Sequence, residues 1–487
     1  MHLLLIIFLF FITGFASAEV LYNSVQQKSS HNSYSRDEGI LDQLVFHRIR
    51  SIEFDLFKSK YGNPTITDDW YVYHFPIFDT RSNCVRFSDC LNQLKIYDEL
   101  HPNHEIVTIW FDIKDGFSNN QSPQAFDNLI KRYINEQDIL KPSDLFHACP
   151  GASRLKDTVR GACHWPSLST LKGKWILVLT DSSYSNNRPE RLGFSAAGVS
   201  NTRDVDSSNR IFFNTDSNSQ SLTQYIFQEG FVSRRYVLND ANGFNAALNG
   251  QTHHIATNKV NIFQDSWSKT HNNQGWPFRC VNRACEQNES SENIIGITVN
   301  SEDIWGNNDH FIFLQKNKET HNGRWTTAIH VTSSHVDEWA KACMMARASL
   351  SMNSPYFAVC RPSDKHKIRI QWRDDFGSNS GALDTHITHV SGIAQADLSF
   401  IKMDVYNQGK CAAGFASPNG KQWTKIGSRC FSETLKHQGI GASSHGSRSV
   451  KHLFSNLLYW DSRQNSNSFS QHRIGTVRSA QVFDGSF

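Results

Sequence analysis

Beyond its N-terminal stretch, this chain of 487 residues has no apolar run long enough to cross a bilayer as a helix. None of its ten cysteines shows C-x-x-C spacing, which argues against a structural zinc cluster and a thioredoxin-like redox site. No G-x-G-x-x-G follows the first strand candidate, so a dinucleotide-binding doubly wound sheet is disfavoured. Repeats and low-complexity tracts are absent. An excess of charge of either sign is lacking: the formal net charge is +3, which argues neither for a nucleic-acid binder nor for a polybasic membrane anchor.

What is present is globular. Hydrophobic residues make up 39% and charged residues 20%. The length exceeds one ordinary core, so two domains are expected. Leu3 to Ile12 is wholly apolar and Ala16-Ser17-Ala18 fits small-x-small cleavage, so residues 1–18 read as a secretory signal peptide. An uncleaved membrane anchor is the alternative, for which the stretch is short. The cysteines form five sequence-adjacent couples: Cys84/Cys90, Cys149/Cys163, Cys280/Cys285, Cys343/Cys360 and Cys411/Cys430. An even count behind a signal sequence suggests disulfides in an oxidising compartment, secreted or periplasmic. Neighbour pairing is the expectation. Asn120-Gln121-Ser122 and Asn288-Glu289-Ser290 are glycosylation sequons.

Residues 19–304 alternate strand-like and helix-like runs. Val25 to Ser30, Arg50 to Leu56, Trp70 to Phe75, Glu105 to Ile113 and Trp175 to Leu179 read as strands. Weaker candidates are Ile211 to Phe213, Tyr236 to Leu238 and Val260 to Phe263. Asp37 to Arg48, Phe87 to Leu100, and the segment from Ser122-Pro123 to about Glu136 read as helices. Such alternation predicts an α/β barrel of TIM type. Residues 305–487 change texture to strands with short polar turns, among them the Pro418-Asn419-Gly420 hairpin signal, and predict an all-β jelly-roll sandwich.

Period two in the strands singles out a site. Ser51, Glu53 and Asp55 share one face of their strand, and Ile52, Phe54 and Leu56 the other. Asp112 and Lys114 face with Trp110. Both acidic groups lie at strand C-termini, where a barrel enzyme keeps its chemistry. Carboxylates forced together repel unless a cation lies between them. Asn32, Glu53, Asp55 and Asp112 offer only oxygen, which suits calcium, and magnesium less well, rather than zinc. His31 and His74 then serve as proton carriers.

The run Ser29-Ser30-His31-Asn32-Ser33-Tyr34, the later Glu53-x-Asp55, then Tyr73-His74 and a strand ending in Asp112, resembles the catalytic domain of phosphoinositide-specific phospholipase C, closest to its secreted calcium-dependent branch. The resemblance covers roughly residues 22–300 and is strongest before Lys114. It implies that His31 and His74 are catalytic, His74 protonating the leaving diacylglycerol oxygen. It implies that Asn32, Glu53, Asp55 and Asp112 bind calcium, with Glu53 or Asp55 an alternative acceptor for the proton of the inositol 2-hydroxyl. Asp112 stands where the animal enzymes have Glu. Lys114 is assigned to substrate phosphate. The calcium-independent branch has an arginine where the metal sits, and Glu53 and Asp55 argue against that branch. The expected activity is cleavage of phosphatidylinositol-type lipids at a membrane surface, to diacylglycerol and inositol (cyclic) phosphate.

Glu338-Trp339-Ala340-Lys341, Met345-Ala346-Arg347, Gln371-Trp372-Arg373 and the segment Ser417 to Thr424 resemble concanavalin-like jelly-roll modules, which implies fold more than function. Trp372 and Trp423 read as sandwich core, and His253-His254 as structural. Two alternatives stay open. One is a related glycerophosphodiesterase or sphingomyelinase D-like barrel. The other is a catalytically dead barrel with a glycan ligand on the β module.

Overall fold

The structure, a computed structural model, describes residues 19–60, 62–63, 66–76, 78–180, 183–184, 188–216, 220–262, 265–270, 277–281, 294–316, 322–332, 337–363, 367–386, 399–446, 448–460 and 469–484. The signal-peptide expectation, Cys285 and the Asn288 sequon fall outside them.

Eight parallel strands close into a barrel: β1 (Val25–Ser30), β2 (Ser51–Phe57), β3 (Val107–Ile113), β4 (Trp175–Leu179), β5 (Phe194–Gly198), β6 (Phe212–Thr215), β7 (Val232–Arg235) and β8 (His254–Thr257). Their order around the barrel is their order in the chain, and β1 pairs with both β8 and β2. Parallel strands need crossovers, and helices supply most of them. Ile52, Phe54 and Leu56 point outward into a buried cluster with α1 (Ile40–Val45) and α2 (Phe87–Leu100). The opposite face of β2 points inward, where Ser51 Oγ meets Ser29 Oγ at 2.8 Å and His254 Nδ1 at 2.8 Å. His254 also meets the Tyr22 hydroxyl and is fully buried, as a structural histidine would be.

Local signals explain the helix ends. The Ser122 hydroxyl accepts from the Ala125 N–H at 3.1 Å and Pro123 opens α3 (Pro123–Lys131). α2 stops at His101, directly before Pro102. Three expectations are corrected. Trp70 to Phe75 yields only Tyr71–Val72, antiparallel to β2 and outside the barrel wall. The strands expected at Tyr236 to Leu238 and Val260 to Phe263 lie earlier, as β7 and β8. Their inward residues Arg234 and His254 are polar, so no apolar run marks them. β5, with its run of small residues, was not expected at all.

The C-terminal region forms two seven-stranded antiparallel sheets whose inner faces share a core, including Ile297, Trp325, Met344, Phe357 and Ile401. Strand Ile294–Ser301 pairs with Val450–Trp460 and Val477–Asp484 inside the first sheet. The boundary expected at 304/305 therefore cuts the sandwich, because an alternating apolar strand there reads equally well as either domain. Gly420 adopts φ +70° in the expected hairpin, a conformation that favours glycine. Trp372 and Trp423 are half-buried against core clusters.

Four disulfides join the expected neighbours: Cys84–Cys90, Cys149–Cys163, Cys343–Cys360 and Cys411–Cys430. The last two link directly opposed residues of adjacent strands. Cys280 is also disulfide-bonded. Among the described residues no helix is long and apolar enough to cross a membrane.

Candidate active site

β1 ends at Ser30, and the chain turns at Asn32 through a left-handed conformation (φ 49°, ψ 58°) that asparagine tolerates better than most residues. That turn aims the Asn32 N–H at Glu53 Oε2, 2.9 Å away on β2. The Ser33 hydroxyl accepts from the Glu53 N–H at 2.8 Å, so the turn is clamped to β2 twice. Tyr34, from the same turn, donates its hydroxyl to Asp55 Oδ2 at 2.9 Å. The run Ser29 to Tyr34 thus forms the wall behind two carboxylates.

His31 is held by Asn258, just after β8, with Nδ1 2.8 Å from Asn258 Oδ1. A neutral imidazole donating from Nδ1 to that amide oxygen leaves Nε2 as the acceptor, the form a general base needs. Burial holds His31 below the ordinary imidazole range, with Arg234 pushing the same way and Glu53 pulling against them.

Burial by itself would raise the Glu53 carboxyl. The Arg234 guanidinium, with His31 and the Asn32 N–H behind it, brings it below the usual carboxylate range. Arg234 Nη2 lies 2.7 Å from Glu53 Oε2, and Arg234 packs over Trp110. Asp55 goes the other way. Burial, then the neighbouring Glu53 charge, push it up to about 8 against the pull of Lys114. Asp112, at the end of β3, accepts from Thr180 Oγ1 at 2.9 Å and from Lys114 Nζ at 2.5 Å. Lys114 Nζ also reaches Asp55 Oδ2 at 3.3 Å.

The structure therefore gathers His31, Asn32, Glu53, Asp55, Asp112 and Lys114 at one barrel mouth: Asn32 bonds Glu53, Lys114 bridges Asp55 and Asp112, and Glu53 acts electrostatically on both His31 and Asp55. His74 sits apart. It lies in the loop after Tyr71–Val72, with Nδ1 3.1 Å from Asp79 Oδ2, and its side chain is 41% exposed. Among the described residues no hydrogen bond or ion pair joins it to Glu53, Asp55 or Asp112. Its partner Asp79 is near enough to Tyr34 and Arg36 to act on both electrostatically.

Tyr34, Arg234, Asn258, Thr180 and Asp79 were not foreseen as site residues. Tyr34 stood in the quoted motif. The others are ordinary polar residues whose partners are distant in sequence or, for Asp79, in a loop without periodicity.

Among the described residues no group of three His, Cys, Asp or Glu side chains is arranged as a ready metal site. The donors nevertheless fit a hard cation. Asp55 Oδ1 is buried and lacks a hydrogen-bond partner, and the set around it is all oxygen. Such an orphaned carboxylate oxygen beside a second acid is what a divalent cation satisfies.

Comparison with known proteins bears on this mouth. The family described as phosphoinositide phospholipase C, Ca2+-dependent, matches residues 67–234. Over that stretch the barrel is similar to the calcium-dependent phosphoinositide phospholipases C. The matched phospholipase C segment includes His74, Asp112, Lys114 and Arg234 and starts after His31, Glu53 and Asp55. Among solved structures, a calcium-dependent phosphoinositol-specific phospholipase C from Pseudomonas sp. is 22% identical, covering 54% of this chain and 96% of its own, with a TM-score of 0.47. A glycerophosphodiester phosphodiesterase from Parabacteroides distasonis is 9% identical, covering 50% and 96%, with a TM-score of 0.29. The GH43 protein BlXynB from Bacillus licheniformis is 17% identical, covering 30% and 28%, with a TM-score of 0.23. No curated protein matches the chain.

Proposed function

We propose that this chain is an exported, calcium-dependent phospholipase C that cleaves phosphatidylinositol-type lipids at a membrane surface. The observation that carries the reading is the gathering of His31 beside the oxygen donors Asn32, Glu53, Asp55 and Asp112 at one barrel mouth, the donors a hard cation takes.

In this reading His31 Nε2 faces the inositol 2-hydroxyl, and its Nδ1–H stays on Asn258. Glu53, kept ionised by Arg234, stabilises the imidazolium that forms as the proton arrives. The 2-hydroxyl oxygen attacks phosphorus, the bond to the diacylglycerol oxygen breaks, and His74 delivers a proton to that oxygen. Asp79 holds the His74 ring for this step. Asn32, Glu53, Asp55 and Asp112 are the residues that would hold calcium, which when bound lowers the pKa of the attacking hydroxyl and draws off charge from the phosphate.

A lipid-facing mouth is supported by the loop that carries His74. Phe75 is 55% exposed and Phe78 is 85% exposed, their rings 6.3 Å apart. Aromatic rings in such positions favour the headgroup boundary of a bilayer.

The test is hydrolysis of phosphatidylinositol vesicles by the whole chain with calcium, with magnesium or with a chelator. Inositol cyclic phosphate formed with calcium and abolished by the chelator is expected. Free choline or ceramide phosphate from a lipid panel, with no inositol phosphate, would replace this reading with the related phosphodiesterase one.

A further inference from the structure

The cation-binding carboxylates already have a partner of their own. Lys114 follows β3 and folds back over its end, its Nζ 2.5 Å from Asp112 Oδ2 and 3.3 Å from Asp55 Oδ2. One ammonium therefore bridges two acids on neighbouring strands, paired in register as Asp55 opposite Asp112. The second protein cation of the mouth, Arg234, is of a different kind. Its side chain is 1% exposed, fixed on Glu53 and bonded to Asn214, so it is part of the wall. The Lys114 side chain is 28% exposed, on a flexible stem that opens to solvent.

Lys114 cannot remain where it is once a divalent ion takes the same oxygens. An ammonium and a dication on shared carboxylates would repel at contact distance, and a lysine donates hydrogen bonds but ligates nothing while charged. Its exposure gives it somewhere to go. An anion entering the mouth would offer its charge a new partner.

We propose that Lys114 is the built-in stand-in for the divalent cation: it neutralises Asp55 and Asp112 in the metal-free protein, and calcium binding releases it to the substrate phosphate. The inference rests on the calcium reading above and deepens it. It makes phosphate capture by Lys114 conditional on the cation, so that a metal-free mouth is closed to substrate twice over. No proton is gained or lost by the lysine in the exchange.

Two measurements on the full chain test it. Calcium titration by calorimetry compares the wild type with Lys114→Met, and with Lys114→Gln should the first variant misfold. Removing the resident charge is expected to tighten calcium binding by about tenfold or more. Amine-reactive labelling of the wild type, read at the Lys114 peptide, is expected to rise several-fold on adding calcium. Equal or weaker calcium binding in both variants, or labelling unchanged by bound calcium, would overturn the inference and leave the calcium reading intact. Absence of calcium binding in every protein would overturn both.

Discussion

His31 illustrates how much of a site one residue can announce and how much it cannot. A histidine followed by asparagine at a strand end is chemically suggestive, and the structure gives the reason: the left-handed Asn32 turn fastens its N–H to Glu53. The fastening of His31 itself comes from Asn258, more than two hundred residues onward, where the sequence holds nothing but an asparagine before a lysine. Period two made Glu53, Asp55 and Asp112 readable, since each lies on an inward face whose alternate residues are apolar. Arg234 was not readable, because Arg234 and Arg235 are adjacent and only the barrel decides which faces in. The proton-transfer roles predict that His31→Ala and His74→Ala each lower kcat on phosphatidylinositol by about 10² or more. The far-ultraviolet circular dichroism and melting midpoint should stay near those of the wild type. Turnover within about threefold of wild type in both variants would remove the histidines from the mechanism.

Among elements, those with apolar periodicity or a continuous apolar run emerged from the sequence almost to the residue, as with β2, β4 and α2. Those that line the barrel with polar groups, such as β8, or with small ones, such as β5, did not. The sandwich turns show a further kind of invisibility. Asp309 is fully buried between Arg347 and Arg373, at 2.7 Å from each. Arg373 also donates to the carbonyl oxygens of Gly306, Ser378, Met352 and Ser354, and Arg347 to those of Ser349 and Ser351. Two guanidinium groups thus tie three turns to one carboxylate. No local pattern encodes this, since the partners are 38 and 64 residues away. Removing the acid strands two buried cations. Asp309→Ala should therefore cost about 3–5 kcal/mol by urea unfolding. A loss below about 1 kcal/mol would mean that the turns hold without it.

At the scale of the whole molecule, barrel and sandwich share a core. Ala328, Phe400 and Leu453 of the first sheet belong to the same buried cluster as Leu41, Leu44, Leu91 and Leu94 of α1 and α2. At its edge His330 stacks on Phe46, meets His47 edge-on and pairs with Asp42 at 3.1 Å. A continuous core predicts one cooperative unfolding transition for both domains, in place of two. The Asp42 pair gives that transition a pH signature. Burial would raise the Asp42 carboxyl, but His330 and then Arg361 and His47 hold it below the usual carboxylate range. A depressed carboxyl stabilises the fold fully above its unfolded value, and that contribution is lost as pH falls through the folded one. Asp42→Asn cannot titrate. It should lower stability at pH 7 by about 1–3 kcal/mol, through the hydrogen bond and charge it gives up. The gap to the wild type should narrow in acid, as pH falls from the ordinary unfolded carboxylate value of about 3.9 and then through the depressed folded one, where the wild-type acid protonates as well. Urea unfolding of both proteins at pH 7 and in acid checks this. A gap that stays constant, or two separate transitions in the wild type, would show that Asp42 does not couple the domains.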